Sequence, residues 1–101
     1  MQQNAIMMVF YDFLKEWMQI LLKLYTTSHC HLCESALELA LQQLTSAQLE
    51  LIDIAESEQL LTLYGTRIPV LQRLDTLAEL GWPFSAHELN AFLNVENKKA
   101  S

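Results

Sequence analysis

Apolar residues along this chain follow two rhythms, one suited to strands and one to helices, and the switches between them mark the elements. "ILLKLYT", residues 20 to 26, is a short apolar run closed by "TSH", the pattern of a buried strand entering a loop. From Cys30 the rhythm turns helical: Cys33, Ala36, Leu37, Ala40 and Leu44 recur at spacings of three and four, while Glu34, Glu38 and Gln42 mark another stripe. "QLELIDI", residues 48 to 54, returns to strand alternation, with Leu49 and Leu51 on one face and Ile52 and Ile54 on the other. Strand, helix and strand in such a short span make a βαβ unit, which crosses over right-handed with its strands parallel.

The second half continues in shorter pieces. "SEQLLTLYG", residues 57 to 65, predicts a helix with Ser57 as N-cap and Gly65 as its stop. "PVLQRLD" and "TLAELG" predict two strands joined at Asp75-Thr76, near enough in sequence to form an antiparallel hairpin. Ser85 with Glu88 three residues on is a capping box, and Leu89, Phe92 and Leu93 give the helix that follows an apolar face. The order β-α-β-α-β-β-α predicts an α/β domain over residues 19–94, a four-stranded mixed sheet flanked by helices. Residues 95–101 form a polar tail, expected to fray. Residues 1–18 form an N-terminal extension in which Ile6, Phe10, Phe13, Leu14 and Trp17 fall on one helical face, the pattern of an amphipathic helix.

Composition narrows the classes. The 101 residues are 51% hydrophobic with only two glycines and two prolines, so one small core is expected and disorder is not. Twelve acidic residues against six basic give a net charge of −6, and no basic cluster exceeds Lys98-Lys99. A phosphate-backbone binder needs a basic face, so nucleic acid is excluded as a partner class. The N-terminus has no basic leader region, and Asp12, Lys15 and Glu16 interrupt its apolar residues, so neither a signal peptide nor a membrane span is expected. The expected location is the cytoplasm. Two cysteines three positions apart cannot staple distant segments, and in a reducing compartment such a pair is more often catalytic or metal-binding than structural.

That pair sits in "TTSHCHLC", residues 26 to 33, where the strand signal meets the helix signal. The helical phase turns Cys33 toward the core and leaves Cys30 at the helix mouth, where the first N–H groups lack intrahelical partners. A redox dithiol needs one accessible, ionised sulfur and a second within reach to resolve the mixed disulfide. A helix start stabilises the thiolate of the first cysteine, and such cysteines titrate at roughly 3.5 to 7.5 against about 8.5 for a free thiol. Cys30 is the expected nucleophile and Cys33 the resolving thiol. His29 and His31 are read as modulators: as imidazolium either would favour the thiolate, and as neutral rings they are solvated loop residues. Two cysteines and two histidines are also zinc ligand types, but structural zinc sites draw their pairs from two separated segments, and His87 is the only other histidine. No resident metal is expected; an iron–sulfur cluster shared between chains is the metal alternative.

"LYTTSHCHLCESALELA", "YGTRIPVL" and "ELGWPFSAHELNAFL" together resemble a family of small bacterial glutaredoxin-like proteins with the thioredoxin fold, over residues 20 to 93. The resemblance implies a thiol–disulfide oxidoreductase with no permanently bound cofactor, acting on protein disulfides or glutathione mixed disulfides, with glutathione as co-substrate and an unidentified thiol reductant. It implies further that Ile68-Pro69 is a cis peptide facing the cysteines, although sequence chemistry alone favours trans, since only about 5–6% of X-Pro bonds are cis. The backbone of Ile68 would then pair with an extended substrate by strand addition. Arg67, beside that proline, is read either as a contact for an anionic substrate or as a solvated surface arginine. Asp53 is read as a proton acceptor beneath Cys33 or as the residue that starts a turn. The chain departs from glutaredoxins proper in carrying His31 and Leu32 between the cysteines, where they have a proline and an aromatic. It also has Gly81-Trp82-Pro83-Phe84-Ser85 where they present a glycine pair and an acidic residue to glutathione. Two other functions stay open: a thioredoxin-fold module that binds a partner with idle cysteines, and a metal or iron–sulfur carrier.

Overall fold

The computed structural model describes residues 20–95; the expected N-terminal helix and all but the first residue of the polar tail lie outside them. The chain runs β1 (Leu22–Thr26), α1 (His31–Leu41), β2 (Leu49–Asp53), α2 (Glu58–Tyr64), β3 (Val70–Arg73), β4 (Glu79–Gly81) and α3 (Ala86–Asn94), with single 3-10 turns at Ser46–Gln48 and Ile54–Glu56. The four strands form one sheet in the order β2-β1-β3-β4. β1 and β2 run parallel, with Leu22 opposite Leu49 and Thr26 opposite Asp53. β1 and β3 are antiparallel, with Tyr25 opposite Val70, and β3 and β4 are antiparallel, with Val70 opposite Gly81. This is the mixed sheet of a thioredoxin-like α/β fold.

Strand alternation divides the core in two. Leu22, Leu24 and Leu71 point to the face covered by Ala36 and Ala40 of α1 and by Leu89 of α3, with Phe84 and Leu44 closing the ends. Tyr25 and Val70 point the other way, against Ile54 and Tyr64 of α2, with Leu60 and Ile68 alongside. The small residues Ala36 and Ala40, both fully buried, let α1 lie close on the sheet, which fixes where its N-terminus emerges.

The caps follow local chemistry. Ser57 Oγ accepts from the Leu60 N–H at 3.2 Å, and Ser85 and Glu88 form the capping box, with Oγ and Oε1 accepting reciprocal N–H bonds at 3.0 and 2.8 Å. Two boundaries differ from the pattern's expectation. Gly65 follows α2 with right-handed backbone angles, φ −54° and ψ −37°, rather than a left-handed stop. A glycine fits there because a Cβ would lie 2.5 Å from the Leu61 carbonyl oxygen. The hairpin turns about Asp75-Thr76, midway in the register that pairs Gln72 with Glu79, but its loop is wider than the pattern predicts: the Leu77 N–H donates to the Arg73 carbonyl at 2.9 Å, the Arg73 N–H to the Ala78 carbonyl at 3.0 Å, and β4 begins only at Glu79. The Ile68-Pro69 and Trp82-Pro83 peptides are both cis. The Trp82 N–H donates to the Pro69 carbonyl at 3.1 Å, which ties the two proline segments together across the hairpin. Among the described residues no helix is long and apolar enough to cross a membrane.

Candidate redox centre

β1 ends at Thr26, and four residues carry the chain to the mouth of α1. His29 takes a left-handed backbone, φ 60°, and delivers Cys30 to the N-cap position with extended angles. The cap is a sulfur: Cys30 Sγ accepts the Cys33 N–H at 3.2 Å. Cys30 and Cys33 are joined in a disulfide, with their Cα atoms 5.2 Å apart. Cys33 is buried, 3% exposed, among the residues of the α1 face, whereas Cys30 is partly open to solvent. Burial thus separates one reachable sulfur from one sheltered sulfur, as the helical phase predicts.

The histidines do not gather around a metal position. His31 is almost fully exposed, its Nδ1 3.9 Å from the exposed Glu34 carboxylate, and His29 is exposed on the loop. Among the described residues no group of three or more His, Cys, Asp or Glu side chains is placed to share an ion. Leu32, between the cysteines, is 53% exposed, an apolar side chain presented at the disulfide.

Asp53 takes the turn-starting role. Its Oδ1 accepts the Ala55 N–H at 2.9 Å and the Thr27 hydroxyl at 3.2 Å, so the carboxylate links the end of β2 to the loop that carries the cysteines. A small cleft of about 140 Å³ lies between that loop, α1 and β2, floored by Leu24, Leu37 and Leu51 and rimmed by Ser28, Glu34 and the disulfide.

On the other flank stands the segment before β3. The β1–β3 register sets Val70 opposite Tyr25, so Pro69 falls level with Thr26, at the sheet end from which the cysteine loop departs. The Ile68 N–H is taken by the Tyr64 carbonyl at 3.0 Å. Arg67 is a surface arginine, its side chain about half exposed, but it is not unpaired: its guanidinium lies over the Tyr64 ring, 5.1 Å from the centroid, and pairs with the Glu79 carboxylate on β4. Tyr64 Oη donates to the other Glu79 oxygen at 2.7 Å, and the Tyr64 ring stacks on Tyr25 with centroids 4.0 Å apart. Burial, then the bond to Glu79, push the Tyr64 hydroxyl well above its ordinary pKa of 10.0. Burial alone would raise Glu79, but the hydrogen bonds from Tyr64 and Arg67 outweigh it and hold the carboxyl below its ordinary 4.5.

This network was not legible in the strand pattern. Its one sequence trace is the Tyr64 to Arg67 spacing of three, which in a helical turn sets a cation over a ring. Trp82 and Phe84 meet edge to face at 5.0 Å and pack on the α1 face of the sheet, so they cap the core.

Sheet order and a C-x-x-C at the N-terminus of α1 define the class: a thioredoxin-like α/β protein with a disulfide-bonded cysteine pair where the loop after β1 enters α1. The chain belongs to the glutaredoxin-like domain family (DUF836), whose model matches residues 21–94. It is similar to the crystal structure of protein XcR50 from X. campestris, at 37% identity and a TM-score of 0.66, covering 72% of this chain and 95% of that one. It is likewise similar to the solution structure of protein Ne2328 from Nitrosomonas europaea, at 33% identity and a TM-score of 0.62, covering 75% of this chain and 93% of that one. No curated protein matches the chain. Family membership and the cysteine pair together point to thiol redox chemistry.

Proposed function

We propose that the protein is a thiol–disulfide oxidoreductase. One observation carries the reading: Cys30 and Cys33 lie within disulfide reach at the N-terminus of α1, one sulfur partly open and the other buried. In the reduced protein, the Cys30 thiolate attacks a substrate disulfide, forming a mixed disulfide and releasing one substrate thiolate, which takes up a proton. Cys33 gives up its proton and attacks the Cys30 sulfur, closing the intramolecular disulfide and releasing the second substrate thiol. Two electrons pass from the dithiol to the substrate, and an external thiol reductant returns them by the reverse exchange. The helix start favours the attacking thiolate through unpaired N–H groups, one of which, that of Cys33, already points at Cys30 Sγ. The sulfurs carry the electrons, so the reaction needs no resident cofactor. It suits a cytoplasmic setting, where thiols are kept reduced.

Substrate positioning is assigned to the Ile68-Pro69 flank. With the Ile68 N–H engaged by Tyr64, the Ile68 carbonyl is the backbone group offered to an extended chain. His29 and His31, both exposed beside the disulfide, are assigned the part of modulators.

The test is a pair of serine variants assayed with a protein disulfide and a thiol reductant. Cys30→Ser should abolish turnover, on the order of 100-fold or more, since it removes the accessible nucleophile that attacks the substrate. Cys33→Ser should accumulate a Cys30 mixed disulfide with substrate, seen as an intact-mass adduct. Wild-type turnover no faster than the uncatalysed exchange between substrate and reductant would overturn the reading and leave a binding module with idle cysteines.

A further inference from the structure

Glutathione and polypeptide disulfides differ in charge at the place where the enzyme must hold them. Glutathione carries two carboxylates against one ammonium, so a site that selects it must supply cations or free N–H donors. The described residues contain three, Lys23, Arg67 and Arg73. Arg73 is 2% exposed and held by Asp75. Lys23 lies on β1 opposite Glu50 and Gln72, three positions back from the end that leads to the cysteines. Arg67 alone stands on the Pro69 flank, and Glu79 holds it. Glu79 is paired with Gln72, two positions in from Val70, so the ion pair draws the guanidinium along the sheet rather than toward the disulfide end.

The other polar features repeat this sign. The cleft beside the disulfide has Glu34 on its rim. The N-terminus of α3, an anion site by its geometry, is closed by its own capping box: Ser85 takes the Glu88 N–H and the Glu88 carboxylate takes the Ser85 N–H. Between the cysteines stands the exposed, apolar Leu32. A surface with an ion-paired arginine, a glutamate on the cleft rim and an apolar contact is a poor seat for a dianionic disulfide. It suits a chain that brings backbone and uncharged or basic side chains.

We infer, on the oxidoreductase reading above, that the centre takes neutral or cationic polypeptide disulfides in preference to glutathione disulfides, and that Glu79 sets this choice by occupying Arg67. Glu79 is a positioning residue: it touches Arg67 and Tyr64, not the reacting sulfurs. The chemical step is the same two-electron exchange for either substrate, so the selection lies in encounter and binding.

The experiment follows oxidation of the reduced full-length protein by three probes: glutathione disulfide, hydroxyethyl disulfide and a lysine-flanked peptide disulfide. Each rate is divided by that of dithiothreitol with the same probe, which removes intrinsic reactivity. The expected order at low salt is lysine peptide, then hydroxyethyl disulfide, then glutathione disulfide, the extremes about tenfold apart and converging as salt screens the charges. Glu79→Gln keeps an acceptor for Tyr64 and frees Arg67. It should raise the ratio of glutathione disulfide to hydroxyethyl disulfide about fivefold at low salt and lower the ratio for the lysine peptide. A wild-type protein that reacts fastest with glutathione disulfide, or a folded Glu79→Gln protein with unchanged ratios, overturns this inference and leaves the oxidoreductase reading intact. Should no probe react faster than with dithiothreitol, both fall. Where Glu79→Gln does not fold, the wild-type order and its salt dependence decide the substrate preference, and Arg67→Gln, which leaves Glu79 without its cation, tests the pair from the other side: the glutathione ratio should fall, and an unchanged ratio overturns the part of Glu79.

Discussion

Arg73 lies in the core, 2% exposed. It occupies the sheet face that carries Leu71, and its Nε and Nη2 donate to the two Asp75 oxygens at 3.0 and 2.7 Å, while Nη1 donates to the Phe92 carbonyl at 2.7 Å. The first pair fixes the hairpin; the third bond fastens β3 to the last turn of α3, whose carbonyls lack intrahelical partners. The Arg73 hydrogen bonds hold the Asp75 carboxyl below its ordinary pKa of 3.8, against a smaller opposing effect of burial. Removing one member of a sheltered pair strands the other, and such losses amount to about 3–5 kcal/mol. Asp75→Asn, which keeps one acceptor, should fall at the low end, about 3 kcal/mol, lowering the melting temperature of a domain this size by roughly 15 °C. A shift under about 3 °C by calorimetry would show that solvent and the Phe92 carbonyl suffice for Arg73. Alternation along "PVLQRLD" gave no warning of this pair, because a polar residue at a strand end reads as solvent-facing unless its partner, two residues on in the turn, is known. The cysteines were legible for the opposite reason. Their roles depend on local helical phase, and Cys33 at 3% exposure is where that phase puts it.

Elements show the same division between local and long-range information. The helices and their caps, Ser57 and the Ser85–Glu88 box, are written in four-residue windows, and the structure forms them. The hairpin turns about Asp75-Thr76, where its pattern places it, but β3 stops two residues short of Asp75 and β4 starts three residues after Thr76, because the turn is defined by backbone angles that no residue in it advertises. Leu77 holds φ 66° and is 64% exposed, a left-handed position without a glycine or asparagine. Left-handed backbone costs an L-residue about 1–2 kcal/mol, partly offset by the greater chain entropy that a glycine would lose on folding. Leu77→Gly should therefore stabilise the protein by about 0.5–1 kcal/mol and remove an exposed apolar side chain. Denaturant unfolding at constant m-value measures the gain directly. A loss of stability would mean that the Leu77 side chain contributes packing that outweighs its backbone conformation.

At the scale of the whole molecule, three acid–base groups brace the hairpin, Asp75 within it and the Tyr64–Glu79 pair against α2, and they set two edges to its pH range. Glu79 and Asp75 have folded pKa values below their ordinary 4.5 and 3.8, so the unfolded chain binds protons that the native protein refuses. Their stabilisation is complete above pH 4.5 and is lost as pH falls below it and through the folded values. Tyr64 has the opposite sign. Its folded pKa lies above the ordinary 10.0, so its contribution is complete below pH 10 and is lost as pH rises from there toward the folded value. Between about pH 5 and pH 9 these groups contribute a plateau. Because the Tyr64 hydroxyl and the Glu79 carboxylate share one hydrogen bond, the two edges are linked through it. Tyr64→Phe removes the ionising hydroxyl and one of the two donors that keep Glu79 ionised. It should therefore flatten the alkaline fall above pH 10 and, at the same time, move the acid limb assigned to Glu79 toward pH 4.5. Melting temperatures of the oxidised protein and of Tyr64→Phe, taken across pH 3 to 11 in rapid scans that limit disulfide exchange, measure both edges at once. An alkaline limb of equal slope in the two proteins would assign that edge to another group and sever the link between Tyr64 and Glu79.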